Sequence, residues 1–114
     1  MFGLGLPDAS FDLTVCRHVL QSIPDADRAV AELVRVTRRG GTVHLVAEDY
    51  GMVHFPRRRL DPGRIWPEVP ARFGGATGTD MFVGRRAPAM LRALGVASIA
   101  LEIVVVDTLR VPRE

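Results

Sequence analysis

Residues 11–49, FDLTVCRHVLQSIPDADRAVAELVRVTRRGGTVHLVAED, decide the fold of this 114-residue chain. They begin with Phe11–Cys16, a short and mostly apolar run that comes after the turn-forming residues 7–10 and predicts a strand. They end with Thr42–Ala47, a second run that is nearly continuously apolar, as in strands covered on both faces. The segment between them has helical periodicity. The stretch therefore predicts a strand–helix–strand unit over residues 11–48.

The helix of this unit is expected to run from about Pro24 to Arg38. Ser22 followed by Asp25 is typical of a helix start. Gly40-Gly41 predicts the end, because glycine accepts the left-handed conformation found after many helices. Apolar residues recur every three or four positions and predict one buried stripe, formed by Ala26, Ala29, Val30, Leu33, Val34 and Thr37. A helical crossover joins parallel strands with a right-handed connection, so both strand ends should lie at one edge.

The rest of the chain has a weaker pattern. Residues 49–80 contain half of the eight prolines and predict a long irregular connection, of the kind that often forms a lid or a binding loop. A helix is predicted over residues 83–94, ended by Gly95, and Pro88 must lie in its first turn or kink it. Ser98–Val106 is rich in β-branched residues and predicts a third strand. The expected fold class is α/β.

Composition excludes several classes of protein. Hydrophobic residues make up 47% and charged residues 25% of the chain, which is typical of globular domains and not of disordered ones. The fifteen basic residues are all arginine, but thirteen acidic residues leave a net charge of only +2, which does not favour a nucleic-acid partner. No apolar run reaches the roughly 18 residues of a membrane span. A single cysteine and the absence of zinc-type spacing favour a cytoplasmic protein without a structural metal.

Polar and titratable side chains lie directly after the two predicted strands. They are Arg17, His18, Glu48, Asp49, Tyr50 and His54. Ligands of open α/β sheets bind beyond the carboxyl ends of the strands, where the loops are free to vary. We therefore expect these side chains to share one crevice, with His54 nearby on the loop.

Each candidate also has a purely structural interpretation. A histidine after a strand is more often a hydrogen-bonded structural residue than a catalyst, and adjacent acids are often solvated. Trp66 fits a plug beneath the long connection, and Cys16 fits a small buried residue without a paired base. His44 is expected to face the core or a helix. The arginine run at residues 57–59 fits a solvated turn better than a phosphate site.

The order of these features carries a family resemblance. Residues 6–20, LPDASFDLTVCRHVL, resemble the segment leading into the fourth strand of class I S-adenosylmethionine-dependent methyltransferases of the ubiquinone-biosynthesis-like type. The helix Ala26–Arg38, the Arg39-Gly40-Gly41 turn and the strand to Glu48 are similar to the next helix, turn and strand of that family, where proline is common in place of Arg39. Residues 84–95 are similar to the family's late helix.

The resemblance implies a partial Rossmann-like sheet and methyl transfer from S-adenosylmethionine to a small-molecule acceptor. It implies three cofactor-binding residues, which are Cys16, Arg17 and His18. It implies three residues facing the acceptor, which are Glu48, Asp49 and Tyr50. By the same resemblance, His18 or His54 would take the proton of the acceptor.

The resemblance also implies that residues 1–114 form a single incomplete domain. Gly3-Leu4-Gly5 does not match the family's Gly-rich loop, and neither the N-terminal cofactor-binding half nor the last strand is recognisable. Apolar strand edges would then be unpaired, which favours a homodimer. The alternative to an enzyme is a non-catalytic remnant that acts as a dimeric or partner-binding module, and an arginine-rich nucleic-acid binder is a weaker third hypothesis.

Overall fold

The computed structural model describes residues 3–55, 59 and 61–106. In chain order its helices and strands are β1 (Phe11–Arg17), α1 (Ala26–Val36), β2 (Thr37–Val46), α2 (Val69–Thr77) and α3 (Val83–Ala93). Short 3₁₀ turns lie at Leu20–Ser22, Tyr50–Met52 and Pro62–Arg64. The predicted α/β class is confirmed, with a two-stranded sheet among the described residues. Two members of the arginine run, at positions 57 and 58, lie outside that part of the chain.

β1 and β2 pair in parallel, as the strand–helix–strand pattern requires. The ladder runs from Leu13 opposite Thr42 to Arg17 opposite Val46. Because parallel strands point the same way, both end at one edge of the sheet. The residues directly after β1 and β2 are thereby brought together.

The start of α1 differs from the prediction. The helix begins at Ala26, and Asp25 precedes it with a φ of 54° and without a side-chain hydrogen bond to the helix. Ser22 lies in a separate 3₁₀ turn. The expected capping by Ser22 and Asp25 is therefore wrong, and the first turn is joined to Asp25 through its backbone carbonyl, which accepts from Arg28 N–H at 2.9 Å.

The end of α1 also differs, because the chain enters β2 sooner than its glycines indicate. The helix ends at Val36, and Thr37 already has extended backbone. Gly40 and Gly41 lie inside β2, and only Gly40 has a positive φ, of 77°. They lie beside a register irregularity between Phe11 and Leu13 of the paired strand. The two glycines thus lie in the paired strand β2 and do not end helix α1.

The core lies between α1, α3 and one face of the sheet. Its fully buried side chains are Leu20, Val30, Val36 and Val83. Ala26 and Met90 complete it, and Cys16 and Leu45 pack onto it from the strands. The predicted stripe of α1 supplies Ala26 and Val30 to the core and its other members are half-buried, whereas the buried Leu20 and Val36 lie outside that stripe.

The other face of the sheet is uncovered in the part of the chain that the structure describes. Leu13 and Val15 of β1 are 55% and 51% exposed. His44 stands opposite Val15 in the ladder, shares its face, and is also exposed. The expectations that both faces of the strands are covered and that His44 faces the core or a helix are wrong.

Residues 49–80 are more regular than predicted, because they contain α2. Pro70 lies in the first turn of this helix, where a missing N–H leaves no hydrogen bond unmade. Thr79 forms an isolated antiparallel bridge with Pro24, which joins the end of α2 to the start of α1. None of the helices in the described ranges has the length and apolar content needed to cross a membrane.

The predicted helix before Gly95 is confirmed as α3. Pro88 lies inside it and not in the first turn. Gly95 has a φ of 77° and donates its N–H to Arg92 O at 3.0 Å, while Val96 N–H reaches Leu91 O at 3.1 Å. This pair of bonds is the Schellman ending that glycine favours.

The third strand predicted over Ser98–Val106 does not form. These residues carry no regular secondary structure, and neither β1 nor β2 pairs with them. Leu101 is 68% exposed and Val106 is 75% exposed. A strand needs a backbone partner, so a β-rich composition without one leaves the segment outside the sheet.

Candidate functional site

The candidate site lies where β1 and β2 end. His18 comes directly after β1, and its backbone N–H donates to the carbonyl of Val46 at 2.9 Å. Its φ is 54°, a left-handed conformation that is uncommon for a residue with a side chain. Backbone strain of this kind persists only where the surroundings hold it, and it clusters at functional positions.

Glu48 is the centre of the site, because two side chains hydrogen-bond its carboxylate and a third lies near it. His18 Nδ1 lies 2.7 Å from Oε1, and Gln21 Nε2 donates to Oε2 at 2.9 Å. The hydroxyl of Tyr50 lies near the same carboxylate, which helps to raise the Tyr50 pKa. We call His18, Gln21, Glu48 and Tyr50 the Glu48 cluster. Its contacts fix the carboxylate in one orientation, since hydrogen bonds to a charged acceptor are the strong ones.

The cluster also defines the roles of its members. An ionised carboxylate only accepts hydrogen bonds, so a neutral His18 presents Nδ1–H to Glu48 and keeps Nε2 as an acceptor. The His18 side chain is 53% exposed, which leaves the ring open to a ligand. Burial raises the pKa of the Tyr50 hydroxyl, and the neighbouring Glu48 carboxylate raises this pKa further. Tyr50 therefore stays protonated and can donate a hydrogen bond.

Asp49 is turned toward α3 and not toward His18. Its carboxylate accepts from Arg85 Nε at 2.6 Å and from a terminal nitrogen of the same guanidinium at 2.8 Å, and it also accepts from Gly51 N–H at 2.9 Å. The Asp49 side chain is only 7% exposed. The hydrogen bonds from Arg85 hold the pKa of Asp49 below its usual value. This pair joins α3 to the loop after β2.

A cleft with aromatic walls adjoins the cluster at Tyr50. Its volume is about 250 Å³, and Trp66, Phe82 and Arg85 are among the residues that line it with Tyr50. The rings of Tyr50 and Trp66 stack with centroids 6.1 Å apart, and Trp66 Nε1 donates to the carbonyl of Tyr50 at 2.8 Å. Trp66 therefore supports the loop, as a plug would, and also forms a wall of the cleft.

The remaining predicted site residues occupy different environments. Cys16 packs onto the core, and burial raises the pKa of its thiol, so its side chain is not a ready nucleophile. Arg17 is exposed at the last position of β1. His54 is exposed on the loop, and within the described ranges no hydrogen bond joins it to the Glu48 cluster. The structure thus brings together His18, Glu48 and Tyr50, while the binding roles of all the predicted site residues stay predictions.

Gln21 and Arg85 were not predicted from the sequence. Gln21 is 4% exposed and lies three residues after His18 in the 3₁₀ turn. That spacing, which places both residues on one side of a turn, was the available signal. Arg85 had no local signal, because its partner Asp49 lies 36 residues away in the sequence.

Comparison with known proteins agrees with the family resemblance. The sequence profile of a methyltransferase domain matches residues 1–45. The chain is 37% identical over 67 residues to the probable methyltransferase ltbC of Aspergillus luteorubrus, a match that covers 56% of this chain and 23% of that protein. It is 40% identical over 43 residues to a phosphatidylethanolamine N-methyltransferase of Cereibacter sphaeroides, covering 38% of this chain and 21% of that protein. The matches thus span less than a quarter of the length of these two curated relatives.

The matched segment is the part of the fold that builds the site. Residues 1–45 contain β1, α1 and all but the last residue of β2. They also contain His18 and Gln21, two of the four members of the Glu48 cluster. The resemblance found from the sequence is confirmed for residues 1–45, which are similar to a methyltransferase domain and to two methyltransferases.

Proposed function

We propose that this chain takes part in methyl transfer from S-adenosylmethionine to a small-molecule acceptor. The observation that carries the proposal is the Glu48 cluster. It lies at the carboxyl ends of two parallel strands, where α/β proteins bind ligands, and the strand–helix–strand unit that holds it matches a methyltransferase domain.

The residue types at the strand ends fit the methionine end of this cofactor, which bears a carboxylate, an ammonium and a sulfonium. Arg17 is exposed at the end of β1 and offers a cation to the carboxylate. Glu48 offers a negative charge to the cationic groups. Cys16 has its side chain against the core, so it would bind through its backbone. When bound, the cofactor supplies a methyl group activated by its sulfonium sulfur.

His18 is the proposed proton acceptor for the incoming nucleophile. With Nδ1–H donated to Glu48, Nε2 carries the free lone pair. Proton transfer by a positioned side chain typically contributes about 10²–10⁴-fold to a rate. An acceptor that uses this group bears an O–H or an N–H. His54 lacks a carboxylate partner among the described residues, so we favour His18 over His54 in this role.

The aromatic cleft is the proposed acceptor site. Clefts for drug-sized ligands measure roughly 300–1,000 Å³, and this one, at about 250 Å³, suits a smaller molecule. Tyr50 belongs both to the wall of the cleft and to the Glu48 cluster. Tyr50 is thus the residue through which a molecule in the cleft would be linked to the Glu48 cluster. In this arrangement Asp49 supports the cleft wall by holding Arg85. Tyr50 contacts the acceptor.

Calorimetric titration with S-adenosylmethionine and with its demethylated product tests the proposal. We expect micromolar binding by the wild-type chain and binding weaker by about tenfold or more for Arg17→Gln, since a hydrogen bond to a charged group contributes about 1.5–3 kcal/mol. Arg72→Gln is the matched control, because Arg72 is an exposed arginine of α2. A folded protein that gives no heat with millimolar cofactor would contradict the proposal.

The uncovered face of the sheet favours a second candidate function, a dimeric module without catalysis. Leu13 and Val15 form an exposed apolar face on a strand that is paired along one edge only. Faces and edges of this kind recruit another chain. Sedimentation at micromolar concentration tests this second candidate. A dimeric module should sediment as a dimer, and Val15→Lys should dissociate it. A folded wild-type monomer would contradict the second candidate.

A further inference from the structure

We propose that Gln21 and Tyr50 are positioning residues that hold Glu48 so that it fixes one tautomer of His18, with hydrogen on Nδ1 and a free Nε2. The inference rests on the proposed function and deepens it. Only this tautomer leaves the exposed nitrogen able to take a proton, because the other nitrogen faces Glu48.

Glu48 needs more than one partner to keep its carboxylate in place. Glutamate has a long side chain, and this residue lies on the connection after β2 and not within a strand. A carboxylate held only by His18 would be free to rotate about its terminal bond. Gln21 Nε2 occupies Oε2 at 2.9 Å, which leaves Oε1 for His18 Nδ1 at 2.7 Å. The two oxygens are thus assigned to different donors.

The environment of Gln21 fixes which end of its amide meets Glu48. Its side chain is 4% exposed, and its Oε1 has no hydrogen-bond partner among the residues that the structure describes. Reversing the amide would direct Oε1 at the Glu48 carboxylate and set two acceptors against each other. A buried acceptor without a partner is destabilising. Packing alone therefore does not explain a glutamine beside the buried Leu20, whereas its donor contact with Glu48 does.

Tyr50 approaches Glu48 from the other side. Its ring stacks on Trp66, and Trp66 Nε1 holds the Tyr50 carbonyl at 2.8 Å. The preceding residue, Asp49, is held by Arg85 and by Gly51 N–H. The Tyr50 hydroxyl is therefore carried near Glu48 by a fixed ring on a fixed turn.

The backbone of His18 determines where its side chain begins. Its left-handed φ and the 2.9 Å hydrogen bond from its N–H to Val46 O hold this residue at the end of β1. The orientation of the ring and its tautomer then depend on Glu48. Because a carboxylate accepts and does not donate, it selects the Nδ1–H form of the neutral ring.

Nuclear magnetic resonance of the full chain labelled with ¹⁵N-histidine tests this inference without cofactor or acceptor. The chain has three histidines, and replacing each by glutamine assigns its signals. At about pH 8.5, where ordinary imidazole is neutral, we expect His18 to favour Nδ1–H over Nε2–H by at least about tenfold, the size of effect that a charged hydrogen bond gives. A wild-type His18 that is mainly Nε2–H, or an even mixture, would overturn the inference.

Two variants separate positioning from the direct contact. Gln21→Leu removes a donor to Glu48, Tyr50→Phe removes the hydroxyl near Glu48, and both leave the His18–Glu48 pair in place. We expect the Nδ1–H preference to fall several-fold in each. Glu68→Gln removes a carboxylate of the α2 region that pairs with Arg72, and it should leave the His18 signals as in the wild type.

The outcomes distinguish this inference from the proposed function. An unchanged tautomer ratio in folded Tyr50→Phe would overturn the role of Tyr50, and the same result in Gln21→Leu would overturn that of Gln21. If Gln21→Leu does not fold, the tautomer ratios of Tyr50→Phe and of the wild type decide whether the inference holds. Absence of cofactor binding would contradict methyl transfer and leave the tautomer result standing.

Discussion

Two regions of this chain have strand-forming sequence, and only one of them forms strands. Residues 11–46 fold as β1, α1 and β2, with the two strands paired in parallel and one face packed on a helix. Residues 98–106 are richer still in apolar and β-branched residues but have no regular structure, and Val104 is 74% exposed. Both regions have a composition that favours strands, but only residues 11–46 contain two segments that pair with each other through their backbones.

The difference teaches that helix packing and strand pairing depend on each other here. Strand β1 has a partner because α1 returns the chain alongside it, and α1 is held because Val30 lies in the core cluster onto which Cys16 and Leu45 of the strands pack. Residues 98–106, which follow Gly95, pair with neither β1 nor β2. We therefore expect the two regions to respond differently to equivalent changes.

The largest effect is expected for Leu20→Ala. Leu20 is 0% exposed and belongs to the core cluster, so truncation should lower the free energy of unfolding by about 2–5 kcal/mol. Leu101→Ala removes the same atoms from a residue that is 68% exposed, so it should change the free energy of unfolding by no more than about 0.5 kcal/mol. Urea unfolding followed by circular dichroism measures both. Equal losses of stability in the two variants would contradict the distinction between the packed region 11–46 and the unpaired region 98–106.

A smaller loss is expected for Gly41→Ala in β2. A methyl group there would lie 2.8 Å from the backbone oxygen of Asp12 on β1 and 2.9 Å from that of Arg38, so the strands must move apart. We expect destabilisation by about 1–3 kcal/mol in urea unfolding.

Gly75→Ala is the matched control for this substitution. A methyl group at Gly75, inside α2, meets nothing within 4 Å. The higher helix propensity of alanine should stabilise the chain by about 0.5–1 kcal/mol. Opposite signs at the two glycines are expected, and a neutral Gly41→Ala would show that the strands are not closely paired there.

A further prediction concerns acid sensitivity of the strand–helix–strand region. The hydrogen bond from Arg35 lowers the pKa of Glu32 to about 2 from an ordinary 4.5, with help from Leu4 N–H. The folded-state pKa is below the unfolded one, so this contribution to stability is complete above about pH 4.5 and is lost as the pH falls toward 2. Thermal unfolding between pH 2 and 6 should show a weaker acid dependence for Glu32→Gln. The same dependence in variant and wild type would contradict the assignment to Glu32.

The smallest effect is expected for Val104→Asp. A charge introduced into an unpaired and 74% exposed position should change the free energy of unfolding by no more than about 0.5 kcal/mol. Thermal unfolding at two protein concentrations measures it. A loss above about 1 kcal/mol would show that residues 98–106 are buried against something, in this chain or a second copy.

The sequence predicted the features that local patterns determine. The helical stripe around Val30 and the turn at residues 7–10 were enough to predict β1, α1 and β2 in order. The end of α1 was not predictable in this way, because residues 37–41 pair with β1, a contact distant in sequence. Helix α2 was missed because Pro70, Gly74 and Gly75 weaken its pattern, although Pro70 is accommodated in the first turn.

The same distinction applies to the candidate site. His18 and Glu48 were predictable neighbours, because parallel strands end at one edge, and their hydrogen bond confirms that they meet. Arg85 depends on a contact that no local pattern encodes, whereas the spacing of Gln21 from His18 was a local signal that the prediction did not use. Asp49 was expected beside Glu48 at the acceptor, but its side chain pairs with Arg85 on α3.

The most direct test of methyl-donor binding at the strand ends maps S-adenosylmethionine onto the two regions by ¹H–¹⁵N spectra of the full chain. We expect saturable shifts of the amide signals of residues 16–18 and 48–50, where β1 and β2 end, while residues 98–106 stay unchanged. Shifts confined to residues 98–106, or no shifts at millimolar cofactor in a folded chain, would contradict binding at the strand ends.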